Sequence, residues 1–265
     1  MKSKTVAAVT VIALSFGSSA YAAIKEQAVT YKDGDTVLKG FIVYDDASTA
    51  KRPGIVIVPT WWGVNKHMRD EAHNYASEGY TAFIADMYGD GQTADNPKDA
   101  SALMGALAKN PAAMMSRFNA AKDALSKDAT VDTSRLGAAG YSLGGRVALD
   151  VARSGSELKG IAMFYTSPVT MQSQPKTGNV KAKLLVMNGA ANPFIKPEAV
   201  DAFKKEMAAD NADLNYISYA GAMHSYTDPD ATEKGKQFKI PFAYDPEATK
   251  ESRAEATKFF SAVFK

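Results

Sequence analysis

The chain has 265 residues, a formal net charge of +2 at pH 7 and 0 cysteines. This length is that of one good-sized domain that can bury a large core. The missing cysteines exclude disulfide bonds and thiolate catalysis, and the small net charge, without a basic patch, argues against nucleic-acid binding.

The first 22 residues have the features of a secretory signal peptide. The basic start MKSK precedes the apolar run TVAAVTVIALSF, which is too short to span a bilayer comfortably. Small residues follow, and Ala20-Tyr21-Ala22 fits an A-x-A cleavage site. We therefore expect removal of residues 1–22, a single mature domain over residues 23–265, and a periplasmic or secreted protein. The alternative interpretation is an uncleaved membrane anchor.

Strands and helices alternate along the first half of the remaining chain. VLKGFIVYD predicts an early, partly exposed strand, and residues 54–60 form a β-branched run typical of a strand buried on both faces. Residues 65–78 predict a helix, and YTAFIADMY predicts the next buried strand. Residues 95–128 predict two helical stretches broken at Asn110-Pro111.

The second half continues this alternation. RLGAAGYS predicts a strand, followed by a helix over residues 143–154, and KGIAMFY, AKLLVMNG and LNYISYAG predict three more strands. Helices are expected at about residues 197–209 and over residues 247–264. The pattern indicates an α/β fold with a mostly parallel sheet and helices on both faces. In such sheets the active site lies outside the carboxyl ends of the strands.

The stretch GYSLGG, residues 140–145, has the pattern of a nucleophile elbow, a sharp strand-to-helix turn that exposes a serine. Its glycines supply room for the strained turn and for close approach of the helix to the sheet. Ser142 would lie at the helix N-terminus, whose dipole favours developing negative charge. A simple strand–turn–helix in which Ser142 only caps the helix is the alternative, but the flanking strand and helix favour a nucleophile.

His224 is the candidate general base for Ser142. The chain has 3 histidines, and His224 follows a predicted strand far downstream of the serine, where elbow-containing hydrolases place their histidine. The alternative is a loop histidine without a role. His67 and His73 lie on the first predicted helix, and we interpret both as solvated or packing residues.

Two backbone N–H groups are expected to stabilise the negative charge of the tetrahedral intermediate. One belongs to Leu143, the residue after the nucleophile, and the other to Trp61, in the loop of PTWWGV after an earlier strand. We expect Thr60, Trp62 and Tyr141, which neighbour these groups in sequence, to contribute to the substrate pocket. Packing of the two tryptophans in the core or on the surface is an equal alternative.

The acid of a serine–histidine–acid triad is missing from its expected place. It belongs in the turn after KLLVMNG, where the chain has Asn192 and the next carboxylate, Glu198, is carried away on a helix. An asparagine adds no negative charge, and its amide can favour the wrong histidine tautomer; in a serine protease the matching change lowers the rate by about 10⁴. Asp228 and Asp230, just after His224, are weak candidates for a replacement acid.

Six segments carry a resemblance to a known family. They are VIVPTWWGVN, EGYTAFIADMYGDG, GYSLGGRVAL, KAKLLVMNGAANPFIKPEAVDAFKKEM, YAGAMHSYTDPDA and PFAYDPEATKESRAEATKFF. Over nearly the whole mature chain the sequence resembles the dienelactone hydrolases of the α/β-hydrolase fold. The resemblance implies a single-domain hydrolase of esters or lactones that uses no cofactor. His67 and His73 lie six positions apart on a predicted helix, without nearby carboxylate partners in a ligand pattern. They are weak evidence for a metal site, so we expect no metal.

Four positions depart from what this resemblance implies. The family usually has cysteine where Ser142 stands, aspartate where Asn192 stands and a carboxylate where Thr60 stands. The arginine that follows DxY in the namesake enzymes, and helps to hold a substrate carboxylate, is absent near DMYGDG. Of the family's catalytic side chains, only the histidine, His224, is retained. Serine depends more on its base than a preformed thiolate does, so the pairing of Ser142 with Asn192 is unfavourable.

Two functions from different classes are compatible with this pattern. In the first, the protein hydrolyses small esters or lactones: Ser142 attacks, His224 acts as base and then acid, and Asn192 orients His224. In the second, it is a catalytically impaired relative that binds an apolar carbonyl ligand or a partner. We favour the first, because the elbow glycines and His224 are intact. The expected partner is a small-molecule ester or lactone, and we expect a monomer without nucleic acid or, after cleavage, membrane.

Overall fold

The computed structural model describes residues 24–169 and 180–265. The predicted signal peptide, residues 1–22, lies outside the described residues. Of the helices in the described ranges, none combines the length and the apolarity that a membrane crossing requires.

A single sheet of eight strands occupies the centre of the described chain. The strands are β1 (Ile24–Asp33), β2 (Thr36–Asp45), β3 (Arg52–Val58), β4 (Thr81–Ile84), β5 (Val131–Tyr141), β6 (Gly160–Phe164), β7 (Lys183–Gly189) and β8 (Leu214–Tyr219). Their order across the sheet is β1-β2-β4-β3-β5-β6-β7-β8. β2 runs antiparallel to β1 and β4, and the other pairs are parallel. The mostly parallel α/β sheet predicted from the sequence is therefore confirmed.

Helices cover both faces of this sheet. Within the described residues they are α1 (Lys66–Ser77), α2 (Pro97–Ala108), α3 (Pro111–Ser126), α4 (Leu143–Arg153), α5 (Pro197–Ala209), α6 (Ala231–Phe238) and α7 (Pro246–Val263). Met68 of α1 and Phe260 of α7 belong to one buried apolar cluster. Phe118 of α3, Val147 of α4 and Phe203 of α5 belong to a second cluster. Each face of the sheet thus has its own layer of helices.

Strand β3 shows why a continuous apolar run forms a central strand. Ile55 and Ile57 pack in the cluster with α1 and α7, whereas Val56 and Val58 pack in the cluster with α3 and α4. Successive side chains of a strand point to opposite faces, so a strand covered on both faces needs an apolar residue at every position. Burial of each such side chain contributes roughly 1.5–3 kcal/mol relative to leaving it in water.

Two elements were not anticipated from the sequence. Strand β1 has a mixed polar and apolar pattern because it is the edge strand of the sheet, and it pairs with β2 through a hairpin that turns at Gly34, with φ +55°. Asp-Gly between two strands is a hairpin signal that could have revealed it. Helix α6 is short, with only Ala231 and Gly235 buried, so its sequence carries little periodicity.

The predicted strand over residues 80–88 is shorter than expected, and the buried residue Asp86 explains why. Its carboxylate accepts hydrogen bonds from four backbone N–H groups at 2.8–2.9 Å, those of Lys39, Tyr88, Gly89 and Gly91. These bonds curl the chain around the carboxylate after β4 ends. Asp86, the first aspartate of DMYGDG, is therefore a structural anchor for the loop after β4.

Candidate active site

Ser142 lies in a strained turn between β5 and α4. Its backbone has φ 53° and ψ −110°, a conformation that residues other than glycine seldom adopt. The Ser142 N–H donates to the Phe164 carbonyl at 3.0 Å, and the Ser142 carbonyl accepts from the Gly145 N–H at 3.1 Å. The turn therefore holds the serine at the carboxyl end of β5, where its side chain lines a cavity.

Close packing explains two of the elbow glycines. A Cβ on Gly144 would lie 2.0 Å from the Val58 carbonyl oxygen, and one on Gly145 would lie 1.8 Å from Oγ1 of Thr166. Either separation is far below van der Waals contact. The helix can approach the sheet only because these two residues lack a side chain.

His224 hydrogen-bonds to Ser142, with 2.8 Å between its Nε2 and the Ser142 Oγ. The histidine follows β8, and its ring packs against the rings of Tyr165, Phe194 and Phe242 at centroid distances of 5.3, 5.0 and 4.9 Å. Burial among these rings lowers the pKa of His224 to about 3, because desolvation disfavours the charged form. The imidazole is therefore neutral at ordinary pH.

Asn192 occupies the other side of the imidazole. Its Nδ2 lies 3.0 Å from His224 Nδ1, and its Oδ1 accepts the backbone N–H of Phe194 at 3.1 Å. A backbone N–H can only donate, so the amide oxygen faces Phe194 and the NH₂ group faces the histidine. In this arrangement Nδ1 of His224 is an acceptor and the ring proton resides on Nε2. The Nε2–H then donates to the Ser142 Oγ.

Within the described ranges, no carboxylate forms a hydrogen bond to His224. Asp228 instead accepts the N–H of Asp230 and the Nζ of Lys234, each at 3.0 Å. The Asp230 side chain is 72% exposed. Neither of the two weak candidates for a replacement acid therefore takes that place: local contacts hold Asp228, and Asp230 faces solvent.

The two predicted oxyanion donors lie at the carboxyl ends of neighbouring strands. Leu143 begins α4 after β5, and Trp61 follows β3; in the described part of the chain neither N–H donates to another protein group. The loop around Trp61 is tied down on both sides. The Trp61 carbonyl accepts a hydrogen bond from the Tyr88 hydroxyl at 2.8 Å. The N–H of Gly63 donates to the Thr60 carbonyl at 3.0 Å.

A cavity of about 460 Å³ adjoins these groups. Apolar and aromatic side chains make up most of its wall. Two serines, one arginine and the histidine are the remaining lining residues. The lining residues of the described chain are Trp61, Met104, Ser142, Leu143, Arg146, Tyr165, Ser167, Val169, Phe194, His224, Ile240 and Phe242. A volume of this size suits a small organic molecule.

The family model of the dienelactone hydrolases matches residues 38–264. The chain belongs to the dienelactone hydrolase family. It is thus a hydrolase of the carboxylic ester and lactone type with the α/β-hydrolase fold, as the sequence resemblance implied.

Two solved structures and one further relative illustrate what the chain is similar to. The chain is 31% identical to a dienelactone hydrolase-like promiscuous phosphotriesterase from metagenomic libraries, with a TM-score of 0.86 and coverage of 92% of this chain and 100% of that one. A dienelactone hydrolase from Anabaena variabilis is 17% identical with a TM-score of 0.66, covers 91% of this chain and 99% of its own, and shows the shared fold. Protein usf of Aquifex pyrophilus is 24% identical over 207 residues, which are 76% of this chain and 86% of that protein.

The prediction that Thr60, Trp62 and Tyr141 contribute to the substrate pocket differs from the structure. Thr60, Trp62 and Tyr141 are at most 4% exposed, and none of them lines the cavity. Tyr141 points to the opposite side from the elbow, where its ring stacks on Phe164 at 4.5 Å. Trp62 packs among aromatic side chains, including Phe242 at 6.5 Å. Of the two tryptophans, only Trp61 contributes to the cavity wall.

Eight of the twelve described residues that line the cavity were not predicted from the sequence. Arg146 could have been found, because it lies four positions after Ser142, in the first turn of the helix that begins directly after the serine. Tyr165 follows the carboxyl end of β6 and has a strained φ of 40°. Phe194 and Phe242 come from loops in which no local pattern predicts a position near the serine.

His67 and His73 lie outside this site. His67 is buried, and its Nε2 is 3.1 Å from Oγ1 of Thr227. His73 is half exposed and pairs through Nε2 with Glu26 at 2.9 Å. In the described ranges, no group of three or more histidine and carboxylate side chains is arranged to hold a metal ion.

Proposed function

We propose that this protein is a slow serine hydrolase of small, apolar carboxylic esters or lactones, with Ser142 as nucleophile and His224 as general base. The observation that carries the proposal is the 2.8 Å hydrogen bond between these two side chains at the wall of the cavity. The strained elbow turn supports it, since backbone strain of this kind concentrates at functional positions.

The reaction follows from the positions of the groups. His224 Nε2 takes the hydroxyl proton while the Ser142 Oγ forms a bond to the substrate carbonyl carbon. The carbonyl oxygen becomes an oxyanion, which accepts hydrogen bonds from the Leu143 and Trp61 N–H groups. His224 then gives the proton to the departing alcohol oxygen as the ester bond breaks. Water cleaves the acyl-serine by the same sequence and releases the acid.

Asn192 makes the first proton transfer difficult. Nε2 of His224 can accept the serine proton only if the ring proton moves to Nδ1 and the amide of Asn192 rotates to accept it. Rotation would turn the NH₂ group toward the Phe194 N–H and leave that donor unpaired, at a cost of about 1–3 kcal/mol. Asparagine also supplies no charge to stabilise the imidazolium that forms. In a serine protease the same substitution lowers the rate by about 10⁴.

The cavity wall indicates which esters fit. Met104, Ile240 and Phe242 surround the space beside the serine, and the cavity volume is about 460 Å³. These side chains bind apolar groups and exclude water, which strengthens the hydrogen bonds that the oxyanion receives. We propose short acyl or aryl esters and lactones as substrates.

Residues 1–22 support a periplasmic or secreted location for the mature protein, which we propose acts as a monomer. Expression of the full chain with N-terminal sequencing of the exported product tests the location. Cleavage after Ala22 is the expected result, whereas an intact N-terminus on a membrane-bound protein would contradict it.

Hydrolysis of p-nitrophenyl acetate and labelling by a fluorophosphonate probe test the proposed nucleophile. Slow turnover and labelling are expected in the wild type, and Ser142→Ala should abolish both. Ser167→Ala is the matched control, because Ser167 lines the same cavity without a place in the mechanism. Turnover or labelling that persists in Ser142→Ala would show that Ser142 is not the nucleophile.

A further inference from the structure

Hydrogen-bond donors converge on the reactive end of the cavity. The Leu143 and Trp61 N–H groups have no protein acceptor in the described chain. Nε2–H of His224 donates to the Ser142 Oγ at 2.8 Å. The serine hydroxyl, already an acceptor in that bond, must direct its own proton to another acceptor. A ligand that satisfies these groups must therefore bring acceptors.

Arg146 adds a positive charge to the same wall. It lies one helical turn after Ser142, and its Nε donates to the Val169 carbonyl at 3.2 Å. Its other guanidinium N–H groups donate to none of the described residues. No aspartate or glutamate is among the described residues that line the cavity. Asp150, four residues further along α4, interacts electrostatically with Arg146 but is not one of those lining residues. Among the described lining residues, the charge of Arg146 therefore has no carboxylate beside it.

We propose that this cavity binds the carboxylate of an apolar carboxylic acid, with its oxygens on the Ser142 hydroxyl and the Leu143 and Trp61 N–H groups and with Arg146 as counter-charge. A carboxylate is an acceptor with two oxygens, whereas a neutral ester or amide presents one carbonyl oxygen. Charge-assisted hydrogen bonds to preorganised donors in an apolar cavity are strong.

Asn192 is central to this binding. An aspartate at position 192 would accept the Nδ1–H of His224, so that the lone pair of Nε2 faced the cavity and repelled an anion. The asparagine reverses the tautomer and keeps Nε2 a donor. The replacement that impairs the base therefore favours an anionic ligand at the same position.

The identity of the ligand rests on the proposed function, because an apolar carboxylate is the product that ester hydrolysis would leave in the cavity. The hydrolase is then expected to retain its acid product and to be inhibited by it. Binding itself requires no turnover, so the two proposals can fail separately.

Calorimetric titration with phenylacetate and with its neutral analogue phenylacetamide tests the inference at about pH 8.5, well above the ordinary pKa of imidazole. Phenylacetate is expected to bind the wild-type protein at least about tenfold more tightly than phenylacetamide. Equal affinities, or no binding of phenylacetate, would overturn the proposal. If the protein hydrolyses esters but does not prefer phenylacetate to phenylacetamide, only the binding proposal is overturned. If it prefers phenylacetate but hydrolyses no ester, only the hydrolase mechanism is overturned.

Single substitutions test separately how Asn192 and Arg146 contribute to phenylacetate binding. Asn192→Asp should weaken phenylacetate at least about tenfold, and Arg146→Gln should weaken it while leaving phenylacetamide unaffected. Arg135→Gln is the matched control, since Arg135 pairs with Asp132 away from the cavity and should change neither affinity. Unchanged phenylacetate binding in both Asn192→Asp and Arg146→Gln would contradict the assigned site.

Discussion

The side-chain amide of Asn192 donates to Nδ1 of His224 across 3.0 Å. The contact has the geometry of a triad acid with the direction of the hydrogen bond reversed. An aspartate would accept from Nδ1 and leave Nε2 free to take the proton of Ser142. The amide instead leaves Nε2 protonated, so the site combines a strained elbow turn with a histidine that must move its ring proton to Nδ1 before Nε2 can act as a base.

Asn192→Asp is expected to raise kcat/KM for p-nitrophenyl acetate by about 10²–10⁴, because an aspartate restores the acceptor and stabilises the imidazolium. Steady-state kinetics give the ratio directly. Asn211→Asp is a control for the added charge, since Asn211 is exposed after α5 and should leave the rate unchanged. A rate in Asn192→Asp equal to or below that of the wild type would mean that Asn192 does not limit the base.

The pH dependence of hydrolysis reports the charge of His224. Burial lowers the pKa of His224 to about 3, so its neutral form persists on acidification and wild-type kcat/KM should stay level from about pH 8 to about pH 4. In Asn192→Asp the new carboxylate stabilises the imidazolium, so the acid limb should move up toward about 6.5. A wild-type rate that falls below about pH 6 would indicate a histidine of ordinary pKa.

Tyr88 is expected to act as a positioning residue for the oxyanion hole, because its hydroxyl fixes the Trp61 carbonyl at 2.8 Å. Tyr88→Phe should lower kcat about tenfold with little change in KM, since the oxyanion forms only after substrate has bound. Tyr80→Phe is the matched control; Tyr80 packs against Phe260 on the far side of the sheet. A rise in KM at unchanged kcat would place Tyr88 in substrate binding instead.

Gly145→Ala tests the packing of the elbow helix, because the added Cβ would lie 1.8 Å from Oγ1 of Thr166. We expect a loss of about 1–3 kcal/mol in the free energy of unfolding, measured by urea denaturation. Combining it with Thr166→Ala should recover part of that loss, as removal of the opposing side chain makes room. If the losses of Gly145→Ala and Thr166→Ala simply add in the double variant, the clash between these two side chains is not the cause of the lost stability. Gly105→Ala, in an open helical position, is the control.

The positions of the proposed reacting groups were predictable because they depend on local pattern. Ser142, Asn192 and His224 each follow a predicted strand, and the carboxyl ends of parallel strands meet at one edge of the sheet. The strands buried on both faces were recognisable for the same reason, since their apolar runs are unbroken. The hairpin partner β1 was missed although its Asp-Gly turn offered a signal.

The pocket wall was not predictable, because it depends on side-chain direction and on distant loops. Tyr141 adjoins Ser142 in sequence but points to the opposite face of the sheet. Met104 and Phe242 reach the cavity from separate segments without a motif. The amide orientation of Asn192 likewise depends on a contact with the Phe194 N–H that only the folded turn creates.

The tautomer of His224 can be observed directly by long-range ¹H–¹⁵N correlation spectra of the histidine rings. The chain has 3 histidines, and the signals of His224 are those lost in His224→Gln. Near neutral pH we predict a protonated Nε2 and a bare Nδ1 in the wild type, with the reverse assignment in Asn192→Asp. A proton on Nδ1 of wild-type His224 would contradict the account, because Asn192 would then accept as an aspartate does.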